Sequence, residues 1–163
     1  MRGFAIGLAL LVAAPGCGSS DRIRVSGKVV RGGAAIACPP DRMLGVTLIA
    51  IDVKDQEGKG VSAGEPYPAE VNPADSTFVV PGPDGSGILP GRYRVALIQK
   101  PTAAAVLAAQ EKAGKKKTIR RDTDFFKNQF SAANSPIVRD LGASCDLLID
   151  LDHPTEQKVG DVR

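Results

Sequence analysis

Tryptophan is missing from the 163 residues, and with two Tyr and five Phe the aromatics reach only 4%. Platforms that stack bases or sugars need several aromatic faces, so this scarcity counts against them. One histidine and three cysteines leave few parts for a metal centre or a nucleophile–base pair. Lys+Arg 21 against Asp+Glu 18 gives a net charge of only +3, and no nucleic acid is expected as a partner. No apolar run reaches the roughly 20 residues that a membrane-spanning helix needs. What is present is ordinary for a folded chain: 43% hydrophobic and 24% charged residues argue against disorder. Gly 18 and Pro 12 favour many turns and therefore β-structure. The length suits one domain with a proper core.

The first residues read as an address. Met1-Arg2 is a minimal positive start, and Phe4 to Ala14 is an apolar run of secretory length. Ala14-Pro15-Gly16-Cys17, followed by Gly18-Ser19-Ser20, resembles a bacterial lipobox, in which small residues precede a cysteine that is lipidated and becomes the new N-terminus. Ala14 and Pro15 depart from the usual pattern. The resemblance implies a lipoprotein signal peptide over 1–16, a flexible tether over 17–22 and an exported protein facing the periplasm or cell surface. An acylated Cys17 would hold it to a lipid bilayer. Ordinary cleavage after Ala14 is the competing reading, with Pro15 awkwardly placed after the cut; a third makes Cys17 a disulfide partner. With Cys17 lipidated, Cys38 and Cys145 remain as a candidate disulfide in an oxidising setting. On the chain-entropy model such a bond contributes about 4–5 kcal/mol. Two buried free thiols are the alternative.

Along the rest of the chain, period-two alternation predicts strands. Ile23, Val25, Gly27 and Val29 alternate with polar residues, and Val46 to Ile51 is apolar on both faces, which suits a central strand. Lys54 to Gly64 reads as a loop topping a hairpin. Short strands at Tyr67–Val71 and Thr77–Val80 flank the turn Asn72-Pro73-Ala74-Asp75. Tyr93, Val95 and Leu97 point one way, with Arg92 and Arg94 opposite. Thr102 caps an Ala-rich helix over Ala103 to Ala113, ended by Gly114. Asp122 or Thr123 would cap a second short helix carrying Phe126 and Phe130 on one face. Pro136–Leu141 reads as extended, and Cys145, Leu147, Ile149 and Leu151 face inward from a last strand. About seven short strands without alternating helices predict a mainly β, single antiparallel β-sandwich with a helical insertion between late strands.

Val25-Ser26-Gly27-Lys28-Val29 resembles the opening strand of transthyretin-like, carboxypeptidase-regulatory-like domains, which are Ig-like β-sandwiches. Gly87-Ile88-Leu89-Pro90-Gly91-Arg92-Tyr93-Arg94-Val95 resembles their turn-and-strand signature. Together with Ser135-Pro136-Ile137 and Asp146 to Leu151, the chain looks like the small exported lipoproteins of planctomycete-type bacteria built on this domain. Gly32-Gly33-Ala34-Ala35-Ile36 and the excursion through Cys38-Pro39-Pro40 depart from the usual hairpin, and Ala103 to Arg121 looks like an insertion. The resemblance implies a sandwich over 23–152, leaves 153–163 as a C-terminal tail, and implies a non-catalytic surface or accessory role.

Asp146, Asp150, Asp152 and His153 could hold a divalent cation, but without a calcium-loop pattern a solvated strand face that blunts a sheet edge is favoured. The same aspartates make poor glycosidase acids on an exposed strand. The basic tract of Lys112, Lys115, Lys116, Lys117, Arg120 and Arg121 could meet anionic headgroups; a solvated loop is favoured. Gly58, Gly60, Gly85 and Gly87 lack the context of a phosphate loop. The expectation is therefore no catalytic, metal or cofactor residue, and a structural or interaction-mediating module with an envelope protein or polysaccharide partner. The alternative is a polysaccharide- or peptide-binding protein that uses the sandwich loops, with Tyr67, Phe125 and Phe126 exposed around a concavity.

Overall fold

Alternating burial turns Val25–Arg31 into β1 and Cys145–Asp150 into β9, with every second side chain driven inward. The computed structural model describes residues 22–54, 58, 60–113, 124–156 and 158–161. The signal segment, Cys17, residues 18–21 of the tether, Lys115 to Arg121 and the proposed caps Asp122 and Thr123 lie outside the described residues. Between β1 and β9 run β2 (Ala34–Ala35), β3 (Arg42–Val53), β4 (Pro66–Pro68), β5 (Glu70–Val71), β6 (Thr77–Val80), β7 (Gly91–Pro101), α1 (Ala103–Ala113) and β8 (Val138–Leu141); β10 (Lys158–Asp161) follows.

The strands form two sheets. One has the order β10-β9-β1-β6-β5, with β2 added to β1; the other is β4-β3-β7-β8. Their inner faces share one core, in which Val25, Phe78, Leu147 and Ile149 meet Leu48, Tyr93, Val95 and Leu97. The molecule is mainly β. One pairing departs from the antiparallel expectation: β1 and β9 run parallel, Val25 opposite Cys145 and Val30 opposite Asp150. Gly27 of β1 sits between β9 and β6, where a Cβ would overlap the Leu147 carbonyl and the Phe78 ring. Glycine is required there by close approach.

Three differences from the sequence reading have local causes. The stretch read as one strand at Tyr67–Val71 is split, with β4 pairing β3 and β5 pairing β6, so the chain changes sheets between Pro68 and Glu70. The residues left as a C-terminal tail return as β10, which pairs antiparallel with β9. The expected helix around Phe126 and Phe130 is a series of turns. Lys127 (φ 53°) and Asn128 (φ 61°) are left-handed, and the buried Asp124 carboxylate accepts the Gln99, Phe126 and Asn128 amides at 2.9–3.1 Å. The two rings still meet edge to face at 5.7 Å. Helix α1 is as the sequence predicts, with the Ala105 amide donating to Thr102 Oγ1 at 3.3 Å.

Candidate functional site

On β3, Leu44, Val46, Leu48 and Ala50 face the core, so Thr47 and Ile49 face out. On β7 the same alternation turns Arg94, Ala96 and Ile98 outward. The register sets Ile49 beside Arg94, Thr47 beside Ala96 and Gly45 beside Ile98. Thr47, Ile49, Arg94, Ala96 and Ile98 floor a groove of about 620 Å³. Gly64 and Pro66 wall it on the β4 side, and residues 131–133 on the other. Arg94 is the one charged residue among the described residues that line it. Its Nη1 donates to the Ala132 carbonyl at 3.1 Å, while its buried Nε has no partner. The sequence reading missed this groove. Its signal was the two-sided apolar character of Val46 to Ile51, which reflects an inner core face and an outer groove floor.

The residues singled out beforehand are dispersed. Tyr67 is buried and lies edge-on to Tyr93, ring centres 6.0 Å apart. Phe126 is buried, and only Phe125 is exposed, with the Arg42 guanidinium 3.7 Å above its ring. The three aromatics therefore do not frame a loop concavity. Burial lifts the Tyr67 and Tyr93 hydroxyls above the ordinary phenol range, Glu65 adding to the effect at Tyr67. Tyr93 donates to the Leu89 carbonyl at 2.6 Å.

Cys38 and Cys145 are free thiols, so the candidate disulfide is not made. Its physical obstacle is position along β1. Cys145 pairs with Val25 at the start of that strand, whereas the Ile36 amide, two residues before Cys38, bonds the Val29 carbonyl. Four strand residues, about 13 Å, separate those two points along β1. Cys38 instead lies beside Gln99 Nε2 at 3.9 Å. Burial pushes the Cys145 thiol up, with Asp146 adding to it.

The acidic side chains near β9 serve their neighbours. Asp146 Oδ1 accepts the Ser26 hydroxyl at 3.1 Å, Asp152 Oδ2 accepts the Gly32 amide at 2.6 Å, and Asp150 Oδ2 lies 3.3 Å from His153 Nδ1. Among the described residues no group of three His, Cys, Asp or Glu side chains could hold a metal ion. Arg139 on β8 is fully buried. Its guanidinium donates to the carbonyls of Val138, Pro154 and Glu156 at 2.7–3.2 Å, its Nε has no partner, and burial lowers its pKa. Among the described residues no helix is long and apolar enough to cross a membrane. Compared with protein-family models, curated proteins and solved structures, the chain finds no match.

Proposed function

We propose that the chain is a non-catalytic, exported lipoprotein, anchored by an acylated Cys17, whose transthyretin-like sandwich mediates an interaction through the outer face of β3 and β7. The observation that carries the reading is the groove itself. It is an apolar concavity on an exposed sheet face, while the inner faces of both sheets are spent on the core. Support for the family reading comes from two glycines of the resembling motifs. Gly27 admits the Phe78 ring, and Gly91 lies where a Cβ would meet the Asp52 carbonyl and Val53. Tyr93, bonded back to a carbonyl four residues upstream, behaves like the corner tyrosine of Ig-like sandwiches. The carboxylates near β9 are engaged with local amides and hydroxyls, which favours a scaffold role over acid–base chemistry.

Export and anchoring are tested by expressing the full chain and its Cys17→Ser variant in a bacterium with a lipoprotein pathway. The wild type is expected in the membrane fraction, with a diacyl- or triacyl-glyceryl cysteine at its N-terminus by mass spectrometry. The variant is expected in the soluble fraction. An unmodified chain beginning at Pro15 overturns the anchor.

A further inference from the structure

We infer that the groove between β4 and residues 131–133 binds a single alkyl chain bearing a carboxylate, with Arg94 holding the charged end. The inference rests on the proposal that this sheet face is the interaction surface, and it names the ligand.

Three features select the class. The floor is apolar and nearly free of hydrogen-bonding side chains, with Thr47, Ile49, Ala96 and Ile98 all half-buried. It extends from the Ile49–Arg94 pair to Ile98, about 13 Å along β7, which suits a medium-length hydrocarbon chain. The volume of about 620 Å³ falls within the range of small-molecule sites.

The backbone argues against a peptide. β3 and β7 pair with each other from Arg42–Val53 to Gly91–Pro101, and β4 takes the other edge of β3 at Thr47–Ile49. The far edge of β7 is occupied by β8 and by the carbonyls of Ile137 and Phe130, which accept the Val95 and Leu97 amides. A peptide laid on this floor would leave its own amides unsatisfied; a hydrocarbon has none to satisfy.

Arg94 supplies the charge complement. It sits at one end of the floor with a buried Nε–H that nothing accepts, and among the described residues no carboxylate lies within ion-pair distance of it. A carboxylate placed there would meet the partly exposed guanidinium through a charge-assisted hydrogen bond. The ligand would then lie with its chain over Ala96 towards Ile98 and its head at Arg94.

The test titrates the full chain by calorimetry with dodecanoate below its micelle-forming concentration and, separately, with dodecan-1-ol below its solubility limit. The wild type is expected to bind dodecanoate more tightly, with affinity that weakens as salt is raised. Arg94→Gln is expected to lose about tenfold for dodecanoate and nothing for the alcohol. Retained binding of the alcohol shows that the variant is folded. Ala133→Trp, at an exposed wall position, is expected to lose both ligands. Failure of the wild type to bind dodecanoate, an equal loss of both ligands in Arg94→Gln, or full binding by Ala133→Trp overturns the proposal. The N-terminal mass of the same preparation decides the anchor separately, so either idea can fail alone.

Discussion

Tyr93 combines full burial, an edge contact with Tyr67 and a hydrogen bond to Leu89 in one side chain. These contributions separate by substitution. Tyr93→Phe keeps the ring and strands the Leu89 carbonyl, so urea denaturation should show a loss of about 1–2 kcal/mol. Tyr93→Ala also empties the ring's volume and should cost about 3–5 kcal/mol. Equal effects from the two would mean that the ring packs loosely. The cysteines make a second contrast. Cys38 is half-buried, whereas Cys145 is buried and its thiol pKa is raised, so its reactive thiolate is disfavoured until the pH climbs beyond the ordinary thiol range. At pH 8 iodoacetamide should label Cys38 at least about tenfold faster than Cys145, measured by peptide mass mapping, and the two should equalise in denaturant. Comparable rates in the folded protein would contradict the burial of Cys145.

At the scale of elements, Arg139, like Asp124, breaks the rule that charge stays outside. It lies opposite Tyr93 in the β8–β7 pairing, yet it reaches the carbonyls of Pro154 and Glu156 just before β10. It therefore ties a strand of one sheet to the segment that delivers a strand to the other. Arg139→Met keeps the apolar bulk and releases those carbonyls. Amide exchange in β10 should then rise about ten- to a hundredfold, while β1 amides keep their protection. Uniform acceleration across both strands would show that Arg139 supports the whole fold and not this segment. None of this is legible locally, because Val138-Arg139-Asp140-Leu141 reads as a short alternating strand and Lys158–Asp161 carries no periodic signal. Elements whose pattern is self-contained were legible: β1, β7, β9 and the Thr102-capped α1 follow from alternation and capping. The segment from Asp124 to Phe130 was not. Phe126 and Phe130 have helical spacing, but the buried Asp124 carboxylate holds the amides in turns through left-handed Lys127 and Asn128.

The whole molecule depends on a pairing that no local pattern reveals. β9 lies parallel to β1, the Cys145 amide bonding the Arg24 carbonyl and the Leu151 amide bonding the Val30 carbonyl, so the start and end of the described sandwich are neighbours. Sequence periodicity assigns Cys145, Leu147, Ile149 and Leu151 to an inward face without saying which strand receives them. For the same reason the groove was hidden: Ile49 and Arg94 become neighbours only through the β3–β7 register. This closure has a consequence for stability. Burying each large apolar side chain contributes about 1.5–3 kcal/mol, so Leu147, Ile149 and Leu151 together approach the roughly 5–15 kcal/mol by which a domain is stable. Removing β9 also turns β1 from an interior strand into an unpaired edge of its sheet. A chain ending at Gly142 should therefore lose the whole sandwich and not merely its last strands, showing no cooperative transition by far-UV circular dichroism. In the full chain, tyrosine fluorescence from the β4–β7 side and circular dichroism from both sheets should unfold at one denaturant midpoint, because the sheets share one core. Separate midpoints, or a folded Gly142-terminated chain, would mean that β3, β4, β7 and β8 stand without β9, and that the parallel pairing decorates a fold it does not close.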